Sequence, residues 1–167
     1  ALVTLPPWDN AAMDGYAVLA ADLKGATKDS PVRLRVIETI PAGVAPKQAV
    51  VTGTASRIMT GAMTPDGADA VVMVENTRAE GDSVLIFESP RASQNLRPAG
   101  ESVRVGDLVL PKGKAIRPAE MAMLASLNVP QVPVIRKPKV AILSTGDELT
   151  PLGEPLRPGK IRDSNRY

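Results

Sequence analysis

Turn-forming residues interrupt this chain at short intervals, and that spacing limits it to short extended segments with few helices. Pro41-Ala42-Gly43, Pro65-Asp66-Gly67, Glu80-Gly81-Asp82 and Pro111-Lys112-Gly113 each carry the residue types that reverse a backbone. Glycine and proline together number 29, from 13 and 16. Between the turns lie segments with the periodicity of strands. Pro31 to Ile40 alternates apolar and polar residues, so one face of a strand there is buried. Val71 to Val74 is a short apolar run, and Ser83 to Phe87 alternates again. Val103 to Leu110 and Val132 to Ile135 are read as further strands. Up to about Gly100 the pattern predicts a compact β-barrel or sandwich.

Pro118 to Leu127 is the exception. Strong helix formers follow a proline at the first position, and Asn128 is a left-handed stop. Beyond Arg136-Lys137-Pro138 the chemistry changes again. Lys139 to Ser144 is a continuous aliphatic run, the pattern of a strand buried on both faces. It reads as the first strand of an α/β domain whose remainder is missing.

The residues that are absent exclude whole classes of chemistry. The chain has no cysteine and no histidine. That removes disulfides, thiol nucleophiles, Ser-His-Asp triads and the usual zinc ligands. Acid–base work would fall to Asp, Glu or Lys, and a bound metal would take oxygen ligands, which suits magnesium. The net charge is +2 with the signs interspersed, and aromatic residues make up 2%. Without basic runs or stacking aromatics, a nucleic-acid partner is not expected. No apolar run approaches the roughly 20 residues of a membrane span, and no signal peptide is evident. The expectation is a cytoplasmic protein. Both ends look cut, since the chain opens without methionine and closes on a polar turn, although a natural carboxyl terminus could also look like this.

Four clusters could carry chemistry. Ser144-Thr145-Gly146-Asp147-Glu148 places hydroxyls, a glycine and two carboxylates at the end of a strand, where α/β sheets bind ligands. The alternative is a helix start, with Asp and Glu as capping residues. Asp9 to Tyr16 crowds two aspartates and an asparagine into one loop, which Asx-turn chemistry alone could explain. Arg57 to Ala62 ends a strand in Thr60-Gly61, whose amides and hydroxyl could hold an anion or form a plain loop. Glu101 stands in a glycine turn, where a lone carboxylate is usually only solvated. Gly153 to Lys160 and Gly106 to Lys114 imitate a phosphate-binding loop but lack its spacing and its final Ser or Thr.

Taken in order, these clusters resemble the signature of one family. Asp9-Asn10-Ala11-Ala12-Met13-Asp14-Gly15-Tyr16-Ala17-Val18 resembles the DNSAMDGYAV string of the MoeA family, which includes the E domain of gephyrin. Arg57 to Ala62 with Gly67 to Val72, and Gly100-Glu101 with Gly106, resemble its next blocks. Ser144 to Leu149 matches STGDEL, and Asp163-Ser164-Asn165-Arg166 matches D(S/T)NR.

The resemblance implies a mainly β fold with some α structure. Residues 1–8 would be an entry segment and 9–100 a β-barrel-like domain. Residues 101–135 would be a small α+β linker domain, and 136–167 the opening of a truncated α/β domain that binds molybdopterin. It implies magnesium-dependent insertion of molybdate into adenylylated molybdopterin, with release of AMP, in molybdenum cofactor biosynthesis. Asp14, Glu148 and Asp147 would be catalytic, with Asp147 and Glu148 as metal ligands. Thr60, Gly61, Glu101, Ser102, Ser144, Thr145, Gly146, Asp163 and Asn165 would bind substrate. The partners implied are a second copy of the chain, forming a homodimer, and the molybdopterin adenylyltransferase of the same pathway. The 167 residues alone are expected to be inactive, because the family's molybdate-binding residues lie further on. Ser102 stands where the family carries an aspartate, and it can hydrogen-bond but supplies no charge to a metal. That substitution keeps open a second possibility, a scaffold module of a gephyrin-like paralogue.

Overall fold

Residues 1–167 are all described by the structure, a computed structural model. They form two compact units, Ala1–Pro130 and Gln131–Tyr167.

The first unit is built on a curled six-stranded sheet. Its strands are β2 (Gly15–Val18), β3 (Val32–Ile40), β4 (Thr54–Ile58), β5 (Ala70–Met73), β6 (Thr77–Glu80) and β7 (Ser83–Ile86). They lie in the order β5-β2-β4-β3-β7-β6. All neighbours are antiparallel except β3 and β4, which run parallel with a register shift between Val36 and Glu38. The short hairpin β6–β7 turns at Gly81, which takes a positive φ of 62°. A two-stranded ladder joins β1 (Asn10–Ala11) to β8 (Leu96–Arg97).

The sheet is buried on both faces, and the alternation of side chains shows how. Tyr16, Val18, Leu34, Val72, Val84 and Ile86 pack on one side. Ala17, Ile40, Ile58 and Val71 pack on the other, against Ala11 and Ala62. A fully buried Ile or Val contributes about 1.5–3 kcal/mol, so these two layers carry most of the stability of the unit. The small residues Ala11, Ala17 and Ala62 let the loops above the second layer approach the sheet closely.

Two close approaches need glycine. A Cβ on Gly15 would overlap the Val72 carbonyl oxygen, and one on Gly67 would overlap that of Val50. At the entrance to the unit, Leu5 and Val103 exchange backbone hydrogen bonds of 2.8 and 3.0 Å. The Gly106 amide donates to the Ala1 carbonyl at 3.0 Å, and the Ala1 ammonium donates to the Asp107 carbonyl at 2.6 Å. The segments 1–5 and 103–107 therefore lie side by side.

The helix α1 (Pro118–Ser126) follows the sequence reading, and Asn128 takes a φ of 56° beyond it. Glu120 caps its first turn by accepting the Arg117 amide at 3.0 Å. The readings of strands at 103–110 and 132–135 are corrected. Only Val103 is bridged in the first segment, and the second carries no strand.

The aliphatic run Lys139 to Ser144 is likewise not a strand. Val140, Ile142 and Leu143 are exposed instead of buried. A doubly buried strand needs hydrogen-bonded neighbours and covering layers, and this unit supplies none to it. Its regular structure is a parallel pairing of β9 (Leu149–Thr150) with β10 (Ile161–Arg162). No helix follows Glu148, which removes the reading of that cluster as a helix start. No helix in the chain is long and apolar enough to cross a membrane.

Candidate functional site

Two clusters that stand far apart in sequence meet at one end of the β2–β4 ladder. Gly15 pairs with Ile58 there, so Asp14 and Thr60 lie just past the last register pair. The Asp14 carboxylate oxygen Oδ1 accepts both the Thr60 amide and the Thr60 hydroxyl, each at 2.7 Å. These bonds hold the carboxyl below its ordinary value of 3.8. The Thr60 amide contributes most, then its hydroxyl, with the charge of Arg57 adding a smaller part against partial desolvation. Asp14 is thus an exposed, fixed anion whose Oδ2 remains available.

Backbone bonds fasten the two loops further. The Ala11 amide donates to the Ala62 carbonyl at 3.0 Å, and the Gly61 amide to the Ala11 carbonyl at 2.8 Å. Gly61 takes a φ of 79°, which a glycine adopts without strain. Asp9 proves to be a structural anchor, since its carboxylate accepts the Ala99 amide at 2.7 Å. That contact draws the Pro98 to Ser102 turn to the same loop. Glu101 forms an exposed ion pair with Arg97 at 2.9 Å, and Ser102 is exposed, its amide donating to the Leu5 carbonyl.

The second unit gathers most of the remaining residues, though not Gly146 or Asp147, around a cleft of about 360 Å³. Ser144, Thr145, Glu148, Asp163 and Asn165 line it. The β9–β10 pairing is parallel, so Glu148 precedes one strand and Asp163 follows the other, at opposite ends of the short ladder. The Ile161 amide donates to the Glu148 carbonyl at 2.8 Å, and the Asp163 amide to the Thr150 carbonyl at 3.0 Å. Asp163 is buried and lies 3.5 Å from Arg166. The Ser144 hydroxyl is buried without a partner, a state that suits a polar ligand. The Glu148 carboxylate folds over Gly146, so a side chain there would displace it. Asp147 is not among the residues that line the cleft, and its backbone carbonyl accepts the Lys160 ammonium.

Comparisons with known proteins show the family. Residues 1–128 match the MoeA N-terminal region (domain I and II). This chain belongs to the MoeA family. A molybdopterin molybdenumtransferase of Nostoc sp. is 47% identical over 97% of the chain, which spans 37% of that relative. The Bacillus subtilis molybdopterin molybdenumtransferase is 42% identical over 96% of the chain and is spanned over 38% of its length. The crystal structure of a MoeA molybdopterin biosynthesis protein from Pyrococcus horikoshii superposes with a TM-score of 0.91 at 42% identity. That match covers 98% of this chain and 44% of that one. The chain therefore spans about two fifths of the relatives it matches.

No group of three or more acidic side chains converges anywhere in the chain. Magnesium makes a smaller demand, since it is habitually held by one or two carboxylates together with substrate phosphates and water. Of Asp147 and Glu148, only Glu148 lines the cleft and offers one such carboxylate there.

Sequence reasoning passed over Arg57. Its guanidinium donates to the Gly15 carbonyl at 2.7 Å and the Ile58 carbonyl at 2.9 Å, and it lies 5.4 Å from the centre of the Tyr16 ring. A signal was present: an arginine within an otherwise buried strand, immediately before Thr60-Gly61.

Proposed function

We propose that this chain contributes to molybdenum cofactor biosynthesis, as part of a transferase that inserts molybdate into adenylylated molybdopterin and releases AMP. The observation that carries this reading is the convergence of Asp14 and Thr60 from separate family blocks, where both Thr60 donors fix the Asp14 carboxylate. Its free carboxylate oxygen can accept an N–H or O–H of a bound pterin nucleotide. In the second unit, Ser144 supplies a hydroxyl with no internal partner, and Thr145, Asp163 and Asn165 add polar groups to the same cleft. Both sets suit a ligand rich in hydrogen-bonding atoms.

Glu148 would hold magnesium in the cleft, with Asp147 as a neighbouring carboxylate outside its lining, and the cation would offset the repulsion between carboxylate and substrate phosphate. Asp14 stays a hydrogen-bond acceptor in this scheme, because its Oδ1 is occupied by Thr60. Glu101 and Ser102 would face substrate from the turn that Asp9 anchors. The working enzyme would be a homodimer that receives adenylylated molybdopterin from the adenylyltransferase of the pathway. The 167 residues alone would be inactive, since they span about two fifths of the matching relatives.

The test is AMP release from adenylylated molybdopterin in the presence of molybdate, using protein expressed from the complete reading frame. Asp14→Asn is expected to abolish turnover while melting stays nearly unchanged. Normal turnover in that variant would remove Asp14 from the reaction. AMP release by residues 1–167 alone would overturn their expected inactivity.

A further inference from the structure

We propose that Arg57 is the positioning residue of the site, tying the Gly15 and Ile58 carbonyls together so that Asp14 and Thr60 meet. This rests on the functional reading above and adds a residue to it.

The geometry joins a guanidinium lying beside an aromatic ring to two backbone carbonyls. Tyr16 and Arg57 are direct register partners on β2 and β4, so their side chains leave the sheet on one face. The arginine bends back along that face, with its guanidinium carbon 5.4 Å from the Tyr16 ring centre. One terminal nitrogen, Nη1, then donates to two carbonyls, Gly15 at 2.7 Å and Ile58 at 2.9 Å. These carbonyls belong to the last register pair of the ladder. Asp14 is the next residue on one side, and Met59-Thr60 follow on the other.

Backbone bonds hold the two loops, among them the Val74 amide on the Asp14 carbonyl at 3.0 Å, and Arg57 adds the side-chain tie at the ladder end next to the gap that the Asp14 carboxylate spans to reach both donors of Thr60. Gly15 cannot help from the side chain, because the approach of Val72 leaves no room for one. The positive charge also favours the ionised carboxylate, as a smaller effect behind the two Thr60 bonds. Lysine keeps the charge and hydrogen-bond donors but loses the flat guanidinium face that lies against Tyr16 and holds the donor nitrogen in place. The proposal therefore separates geometry from charge.

The experiment follows the Thr60 amide by hydrogen exchange in protein from the complete reading frame, beside AMP release. Arg57→Lys is expected to fold with nearly unchanged melting. The Thr60 amide should exchange at least about tenfold faster, and turnover should fall by about tenfold to a hundredfold, as misplacement of a reacting geometry does. In an Asp14→Asn background the same change should have little further effect on any residual turnover. If Thr60 keeps its wild-type protection in both Arg57→Lys and Arg57→Met, the positioning role is wrong. If Arg57→Met fails to fold, Arg57→Lys alone decides. Wild-type turnover in Asp14→Asn would instead defeat the functional reading, and Thr60 exchange would still judge the role of Arg57.

Discussion

Gly15→Ala tests the packing on which the site stands. The new Cβ would overlap the Val72 carbonyl oxygen and lie 2.8 Å from its carbon and 3.2 Å from the Met73 Cα. Reaching an ordinary carbon–carbon contact of about 3.5 Å requires β2 and β5 to part by about 0.7 Å, before the oxygen is considered. Both atoms belong to backbone, so no side chain can turn away. Overpacking of this kind costs about 1–3 kcal/mol. Loss of the adjoining ladder hydrogen bond adds about 1 kcal/mol. At about 3 °C per kcal/mol for a unit of this size, Tm should fall by roughly 10 °C.

Gly61→Ala is the control. It meets nothing within 4 Å but stands at a φ of 79°, so it carries backbone strain without a clash. A cost of about 1–2 kcal/mol predicts a smaller fall, about 3–6 °C. Scanning calorimetry of both variants in protein from the complete reading frame makes the comparison. If Gly15→Ala melts within about 2 °C of wild type, the close approach of β2 to β5 is not as described.

Two further substitutions probe the polar groups. Thr60→Val removes the hydroxyl bond and leaves the amide bond, so the Asp14 carboxyl should titrate higher, closer to 3.8, in a carbon-13 NMR titration. Because the folded value is depressed, the stabilising effect of that bond is present above 3.8 and is lost as pH falls through the folded value. An unshifted titration would refute this account. Ser144→Ala deletes a buried hydroxyl that has no partner, so Tm should be unchanged or slightly raised, while affinity for a pterin nucleotide falls in calorimetric titration. A clear loss of Tm with unchanged affinity would mean that the hydroxyl serves the fold.

Local patterns were legible wherever the local environment decides the structure. The alternation of Pro31 to Ile40 became β3 at Val32–Ile40, and the helix formers after Pro118 became α1. Gly43, Gly67, Gly81 and Gly113 all take the positive φ that their turns require. The Thr77–Glu80 strand was not legible, because TRAE has neither alternation nor apolar content, and pairing with β7 alone makes it a strand. The parallel pairing of β3 with β4 is also invisible locally, since it depends on the loop between them.

The run at Lys139 to Ser144 shows the opposite failure. Its composition predicts burial on both faces, yet burial depends on neighbours that the pattern itself does not contain. Among the site residues, Asp14 and Thr60 were both visible, but their contact was not. It arises from the register of Gly15 with Ile58, 43 positions apart on the chain. Arg57 was hidden for a related reason: its partners are carbonyl groups, which carry no residue identity.

The bridge between Leu5 and Val103 gives the sheet-bearing lobe a property of its own. Its two covalent attachments sit side by side, separated by the spacing of neighbouring strands, about 5 Å. Such a lobe is a cassette on a narrow stem. It could be excised and the stem sealed with a hairpin turn, or grafted onto any other host that offers two adjacent antiparallel strands.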